Sequence, residues 1–235
     1  MPTEYGLGAV PSPPDARDWP LQLAPLAAPL PARFVSIGMG PVLDQGSKPQ
    51  CVAYASSGML TWFGKRDAEG VIDFDENWLY QRCKDIDDIV GPGTDGRSAM
   101  RVLKNTGCKA LNRPESIAHF RIRAYYAVPV DLVTLKTALT QYGPILLGSA
   151  WYDPWFRPTN GLIGRKSGAM VGGHATLLFG WDDNVGGGSL LIRNSWGHYA
   201  GSTNGNFYAP YRFFVPETFE AWKAVDIITH VPAPR

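Results

Sequence analysis

Apolar residues recur at helical spacing between Val52 and Lys65. Val52, Ala55, Met59, Leu60 and Phe63 share one face there, with no proline between them. The pattern predicts a buried helix that starts at or just after Cys51. Further helices are predicted over Glu76 to Lys84, with Asp73 or Asp75 near the start, and over Arg97 to Asn105, stopped by Gly107. A fourth is predicted over Asp131 to Gln141, halted by Gly143-Pro144. After that the period shortens. Ile145–Ala150, His174–Trp181, Ser189–Asn194, Gly205–Tyr211 and Ala224–Thr229 read as strands, and Asp182-Asp183-Asn184 with Gly186 to Gly188 reads as the turn of a hairpin. A front half mainly helical and a back half mainly β make an α+β protein of two lobes. The first thirty residues are an arm in which Pro11, Pro13, Pro14, Pro20, Pro25 and Pro29 forbid regular helix. Trp19 and the leucines from Leu21 to Leu30 are too apolar for a free linker, so the arm is expected to lie on the body near the functional cleft.

With 235 residues, 45% of them apolar, the chain can bury a sizeable core as one domain or two small lobes. A formal net charge of +1 calls for neither nucleic acid nor an anionic membrane as partner. No apolar run has the length of a membrane span, and residues 1–30 lack the basic start and apolar stretch of a secretory signal. A cytoplasmic protein is expected, or one of a host cytoplasm or virion if a bacteriophage encodes it. Three cysteines, Cys51, Cys83 and Cys108, are too few for a disulfide framework, so Cys83 and Cys108 are expected as buried free thiols. The acidic loop Asp85 to Gly96 matches no calcium spacing and reads as solvated, and no glycine motif sits where a nucleotide site needs one. Neither metal nor cofactor is expected. His198 reads as a surface loop residue, and His119 and His230 have no partner motif.

Three segments carry chemistry. Cys51 follows Asp44-Gln45-Gly46-Ser47-Lys48-Pro49-Gln50 at the mouth of the first helix, where free backbone N–H groups and the helix dipole favour a thiolate. Gln45 could point its amide at a developing oxyanion, with the Cys51 N–H as second donor. His174 opens an apolar strand after Gly172-Gly173, glycines that let another backbone come close. Asn194 ends a strand and could accept from an imidazole, under cover of Trp196.

Gln45-Gly46-Ser47 with Cys51, His174-Ala175 and Asn194-Ser195-Trp196-Gly197, in that order and with the His on the order of 120 residues after the Cys, resemble the papain-like cysteine peptidases of C1 type. The resemblance covers roughly Leu30 to Thr229. It implies a helical lobe of about 45–130 and an antiparallel β-barrel-like lobe of about 131–230 within a domain 31–235, with the active site between them. Cys51 would attack the scissile carbonyl as thiolate beside imidazolium His174, Asn194 would orient the ring, and Gln45 would donate to the oxyanion. Asp95 and Gly96, in the loop Thr94-Asp95-Gly96, would form a wall for substrate backbone, Gly173 would border the specificity pocket, and Trp196 would line the leaving-group side. The expected partner is a peptide or protein substrate, acted on by a monomer. Lys48 stands where secreted members keep a disulfide cysteine, Val52 where they keep an aromatic, and His198-Tyr199-Ala200-Gly201 where a second Trp-Gly is usual. These departures suggest a disulfide-poor bacterial or bacteriophage-type branch. They leave room for a specialised hydrolase of cell-wall amides or isopeptides, or for a silent binding or virion module. No counterpart of the family's long helical inhibitory propeptide is expected, because the proline-rich arm is too short to replace it as a helical domain.

Overall fold

A computed structural model describes residues 4–67, 69–114 and 119–231. Four helices of at least nine residues appear: α1 (Cys51–Arg66), α2 (Glu76–Lys84), α3 (Gly96–Asn105) and α4 (Leu132–Tyr142). Three begin on aspartates whose side chains accept from the first turn: Asp75 from Trp78 N, Asp95 from Ser98 N and Asp131 from Thr134 N. The exception is α1, whose N-cap, Gln50, makes no side-chain capping bond. Its first N–H groups are therefore left for the residue at the helix mouth, Cys51.

The strands are β1 (Arg33–Val35), β2 (Cys108–Lys109), β3 (His119–Ala127), β4 (Ile145–Tyr152), β5 (Met170–Asp182), β6 (Ser189–Arg193), β7 (Asn206–Pro210) and β8 (Thr218–Val231). They form one antiparallel sheet in the order β2-β3-β8-β4-β5-β6-β7, and β1 pairs with the far end of β5. The barrel-like closure expected of the β half is not formed. Closure needs the end strands to pair, and β2, only two residues long, pairs with β3 alone.

The front half holds a strand the periodicity did not announce. In β3, buried Phe120 and Ile122 alternate with Arg121 and Arg123, and the strand pairs with β8 from Arg121↔Ile228 to Ala127↔Trp222. The strand β8 starts six residues earlier than expected because its inward positions include Glu220 and Lys223. Lys223 is fully buried, with Nζ donating to the Pro144 carbonyl at 2.8 Å and lying over the rings of Phe63 and Trp62. The β5–β6 hairpin turns as its residues require, with left-handed Gly186, Gly187 and Gly188 and Asp182 accepting from Asn184 N.

Two hydrophobic clusters flank the sheet. One joins α1, α2 and α3 to β3 and β5; the other joins α4, β4, β6 and β7. The helix α1 lies close on β5: a Cβ at Gly58 would come within 3.5 Å of Leu177, ordinary contact that the small residue leaves open. This packing sets the start of α1 against the start of β5.

The arm departs from expectation. Trp19 is 74% exposed, and only Leu21 among the arm's leucines from Leu21 to Leu30 is buried. Leu21 N donates to the Ala127 carbonyl and Ala127 N to the Trp19 carbonyl, which fixes the arm along the end of β3. The acidic loop is also less solvated than expected. Lys84 Nζ gathers it by donating to Asp87 and to the carbonyls of Ile89 and Gly93, and Asp87 is buried in consequence.

Candidate active site

Cys51 is the first residue of α1 and fully buried. The backbone N–H groups of Ala175, Val52, Cys51 itself and Ala9 lie close enough to favour its thiolate. Burial pushes the thiol up to about 12, against the pull of those N–H groups.

His174 lies on β5 opposite Ser149 of β4 and is also fully buried. Nε2 donates to Asn194 Oδ1 at 2.8 Å, which assigns the proton to that nitrogen and leaves buried Nδ1 with no hydrogen-bond partner. Burial pulls the imidazole down to about 4, and the Asn194 bond opposes the fall. The ring is held on two sides: Trp196 stacks on it at 4.4 Å between centroids, and Trp151 meets it edge-on at 4.7 Å. Asn194 Oδ1 also accepts from Ser195 N at 2.8 Å, which fixes the amide.

Gln45 is buried beside this group. Ser195 Oγ donates to its Oε1 at 2.6 Å and Gln45 N donates to the Ser195 carbonyl, so the amide nitrogen is turned toward the cleft. Ser195 was not singled out from the sequence as a site residue; it ties Gln45 to the segment that carries Asn194. The structure thus gathers Cys51, His174, Asn194, Gln45 and Trp196 at one place, from α1, β5, the end of β6 and the loop before α1. The sequence model described as papain family cysteine protease matches residues 70–210, more than half of the chain.

The chain belongs to the papain family of cysteine proteases.

Among curated relatives, a gut-specific cysteine proteinase of Caenorhabditis elegans is 30% identical over 94 residues, which are 40% of this chain and 28% of the relative. Cathepsin B-like cysteine proteinase 3 of the same organism is 34% identical over 96 residues, 39% of this chain and 26% of the relative. The matched part is thus about a quarter of these relatives' length. In fold, the chain is similar to xylellain, a cysteine protease from Xylella fastidiosa, with a TM-score of 0.82 at 23% identity over 96% of this chain and 98% of that one. It is also similar to procathepsin B S9 from Trypanosoma congolense, with a TM-score of 0.78 at 16% identity over 93% and 85% of the two chains. The papain-like α+β fold is common to all three.

The cleft holds the chain's own residues Tyr5 to Ser12, so the arm does lie at the cleft, through this segment and not through Trp19. Tyr5 stacks on Trp196 at 4.9 Å and meets Tyr199 edge-on. The Gly6 carbonyl accepts from Gln45 Nε2 and from Trp196 Nε1, both at 3.1 Å. Gly8 N and Ala9 N both donate to the Gly173 carbonyl, at 2.9 and 3.0 Å. The Gly8 carbonyl accepts from Thr94 N at 2.9 Å and Val10 N donates to the Thr94 carbonyl at 3.0 Å. Glycine at 173 is required by this approach, because a Cβ there would lie 2.0 Å from the Ala9 carbonyl oxygen.

Of the wall residues named from the sequence, Asp95 caps α3 through Ser98 N and Oγ, and Gly96 N donates to Glu220. Thr94 is the wall residue whose backbone meets the strand in the cleft. Cys83 and Cys108 are free and buried, and His198 is exposed. The side chain of His230 lies outside the described residues.

Proposed function

We propose that this chain is a cysteine peptidase in which Cys51 is the nucleophile, His174 the proton carrier, Asn194 the orienting group and Gln45 an oxyanion donor. The observation that carries the reading is the Nε2–Oδ1 bond of His174 and Asn194, under Trp196, in the cleft that the uncapped start of α1 also faces. A peptide carbonyl placed over Cys51 would be attacked by sulfur as the thiol proton passes to His174 Nδ1. The C–N bond breaks as that proton moves to the leaving amine, and a thioester stays on Cys51. Water attacks the thioester, gives its proton to His174 and frees the acid and the thiol. Gln45 Nε2 and the Cys51 N–H donate to the oxygen as it gains charge.

Thr94 and Gly173 supply backbone donors and acceptors to an extended peptide, which supports a peptide or protein substrate, and Asp95 and Gly96 support that wall from behind. Residues 1–30 form an arm and 31–235 the catalytic domain, a division supported by the two clusters lying almost wholly beyond residue 30. Three buried free thiols fit a reducing compartment such as a cytoplasm, and likeness in fold to a Xylella protein fits a bacterial branch. Digestion of a peptide library tests the function. Cleavage is expected from the native chain and none from Cys51→Ala; no cleavage of any peptide by a folded chain whose Cys51 is open to alkylation overturns it.

A further inference from the structure

The imidazole of His174 sits among neutral groups. Burial and Asn194 set its pKa, and no charged side chain among the described residues contributes. The dipole of one amide is therefore what steadies positive charge on the ring. The oxygen of that amide is fully engaged, accepting from His174 Nε2 and from Ser195 N, both at 2.8 Å. Its nitrogen is not. Asn194 is 2% exposed, and its buried Nδ2 closes no hydrogen bond in this resting state. An N–H left so is costly unless a partner is held ready for it.

Tyr199 supplies that partner. It is 5% exposed, and its hydroxyl is likewise buried without a closed hydrogen bond. Burial raises the pKa of the phenol, and Asn194 lies close enough to oppose the rise. Only the N–H end of an amide can do that, since a carbonyl oxygen would favour the neutral phenol. The two unengaged groups thus face each other, Nδ2–H toward Oη. The loop that carries Tyr199 is anchored at both ends. Gly197, left-handed at φ +58°, donates from its N to the Leu43 carbonyl at 2.9 Å. The Gly201 carbonyl accepts from Gly161 N at 2.7 Å, and a Cβ at 201 would lie 1.6 Å from the Pro158 carbonyl oxygen. Between these anchors the Tyr199 carbonyl accepts from Ser202 N at 3.2 Å and from Ser202 Oγ at 2.7 Å. The Tyr199 ring meets Trp196 edge-on at 5.5 Å, and Trp196 in turn stacks on His174.

We infer that Tyr199 is a positioning residue for Asn194: its phenol oxygen accepts from Asn194 Nδ2–H, holds the far end of the amide and strengthens Oδ1 as the acceptor of the His174 proton. The contact is open while His174 is neutral. It tightens as the ring takes the thiol proton, because charge on the imidazole polarises the amide and makes Nδ2–H a better donor. Tyr199 lies in the stretch His198 to Gly201, where the chain departs from the family's second Trp-Gly, so the device belongs to this chain and not to the shared motif. The inference deepens the peptidase reading, on which its effect on rate rests; the contact itself is tested without turnover.

Tyr199→Phe removes the oxygen and keeps the ring against Trp196. The first readout is the Nε2–H proton of His174 in the full chain, followed by NMR on isotope-labelled histidine at neutral pH. Its signal is expected to move upfield in Tyr199→Phe, as the Asn194 oxygen becomes a weaker acceptor. The second readout is steady-state kinetics. In Tyr199→Phe, kcat/KM is expected to fall about 3- to 10-fold through kcat, with the acid limb of the profile at lower pH. In the Asn194→Ala background the same substitution is expected to change neither rate nor limb, because the two residues act as one unit. An unmoved Nε2–H signal overturns the inference. So does an equal fall in kcat/KM in the native and Asn194→Ala backgrounds, which would make Tyr199 a packing residue only. A shifted Nε2–H signal in a chain that cuts no peptide refutes the peptidase reading and leaves the Tyr199–Asn194 contact standing.

Discussion

Asn194 offers a quantitative test of how the imidazole is held. Truncation to alanine removes the acceptor of two buried donors, His174 Nε2–H and Ser195 N–H. Each buried donor left unpaired costs about 1–3 kcal/mol. The stack on Trp196 and the edge of Trp151 stay in place and keep the ring from swinging freely. The transition state, in which His174 is charged and its Nε2–H bond is strongest, is thus expected to lose about 1.5–3 kcal/mol, a fall in kcat/KM of about 10- to 150-fold. The pH profile separates orientation from general damage. Asn194 raises the His174 pKa, so its loss lowers it, and the acid limb of kcat/KM, where imidazolium gives way to the neutral ring that takes the thiol proton, moves to lower pH. Asn194→Asp keeps an oxygen acceptor and adds charge, so its acid limb moves to higher pH. Steady-state kinetics on one fluorogenic peptide across the pH range measures both. An unchanged profile in Asn194→Ala, or limbs displaced the same way in both variants, would show that the two tryptophans alone orient the ring.

Lys223→Met tests the buried amine: burial, with Arg66 nearby, holds the native Lys223 pKa well below its ordinary value, so between the folded and unfolded values the unfolded chain binds more protons and native stability rises with pH, by up to about 1.4 kcal/mol per unit. Denaturant melts at neutral and alkaline pH should show that slope in the native chain and its loss in Lys223→Met. Asp131→Ala removes the cap of α4 and should cost about 1 kcal/mol in the same melts. Burial tends to raise the Asp131 pKa, but its bonds to Thr134 outweigh that and lower it, so the cap's stabilisation is present above the unfolded carboxylate pKa and fades as pH falls through the lower folded value. Gly96→Ala would place a Cβ 2.4 Å from the Trp222 ring, and a drop in melting temperature by differential scanning calorimetry is expected; an unshifted melt would show that Trp222 yields freely.

The sequence by itself determined the four helices, the family, and which residues to look for at one place. Helical periodicity and aspartate caps are local, so α1 to α4 were legible to within one or two residues, and Cys51, His174 and Asn194 were legible because each sits in a short motif. Packing decided the rest. The strand β3 and the first half of β8 carry charged residues at inward or alternating positions, and only partners from elsewhere in the fold make strands of them: the Lys104 carbonyl for Arg121, Gly96 N and Trp222 for Glu220, and the Pro144 carbonyl for Lys223. Whether the sheet closes is a property of its edges, and a two-residue β2 leaves it open. The occupant of the cleft was the least legible feature. Gly6 and Gly8 read as ordinary residues of a proline-rich arm, and their role exists only where Lys48, Pro49, Thr94 and Gly173 close around them. A contact between residues far apart in the chain leaves no periodic trace in either segment. Cys51 could thus be put forward as nucleophile from its motif, while its covered position, a neutral thiol beneath the arm's own backbone, could be decided only by the tertiary structure.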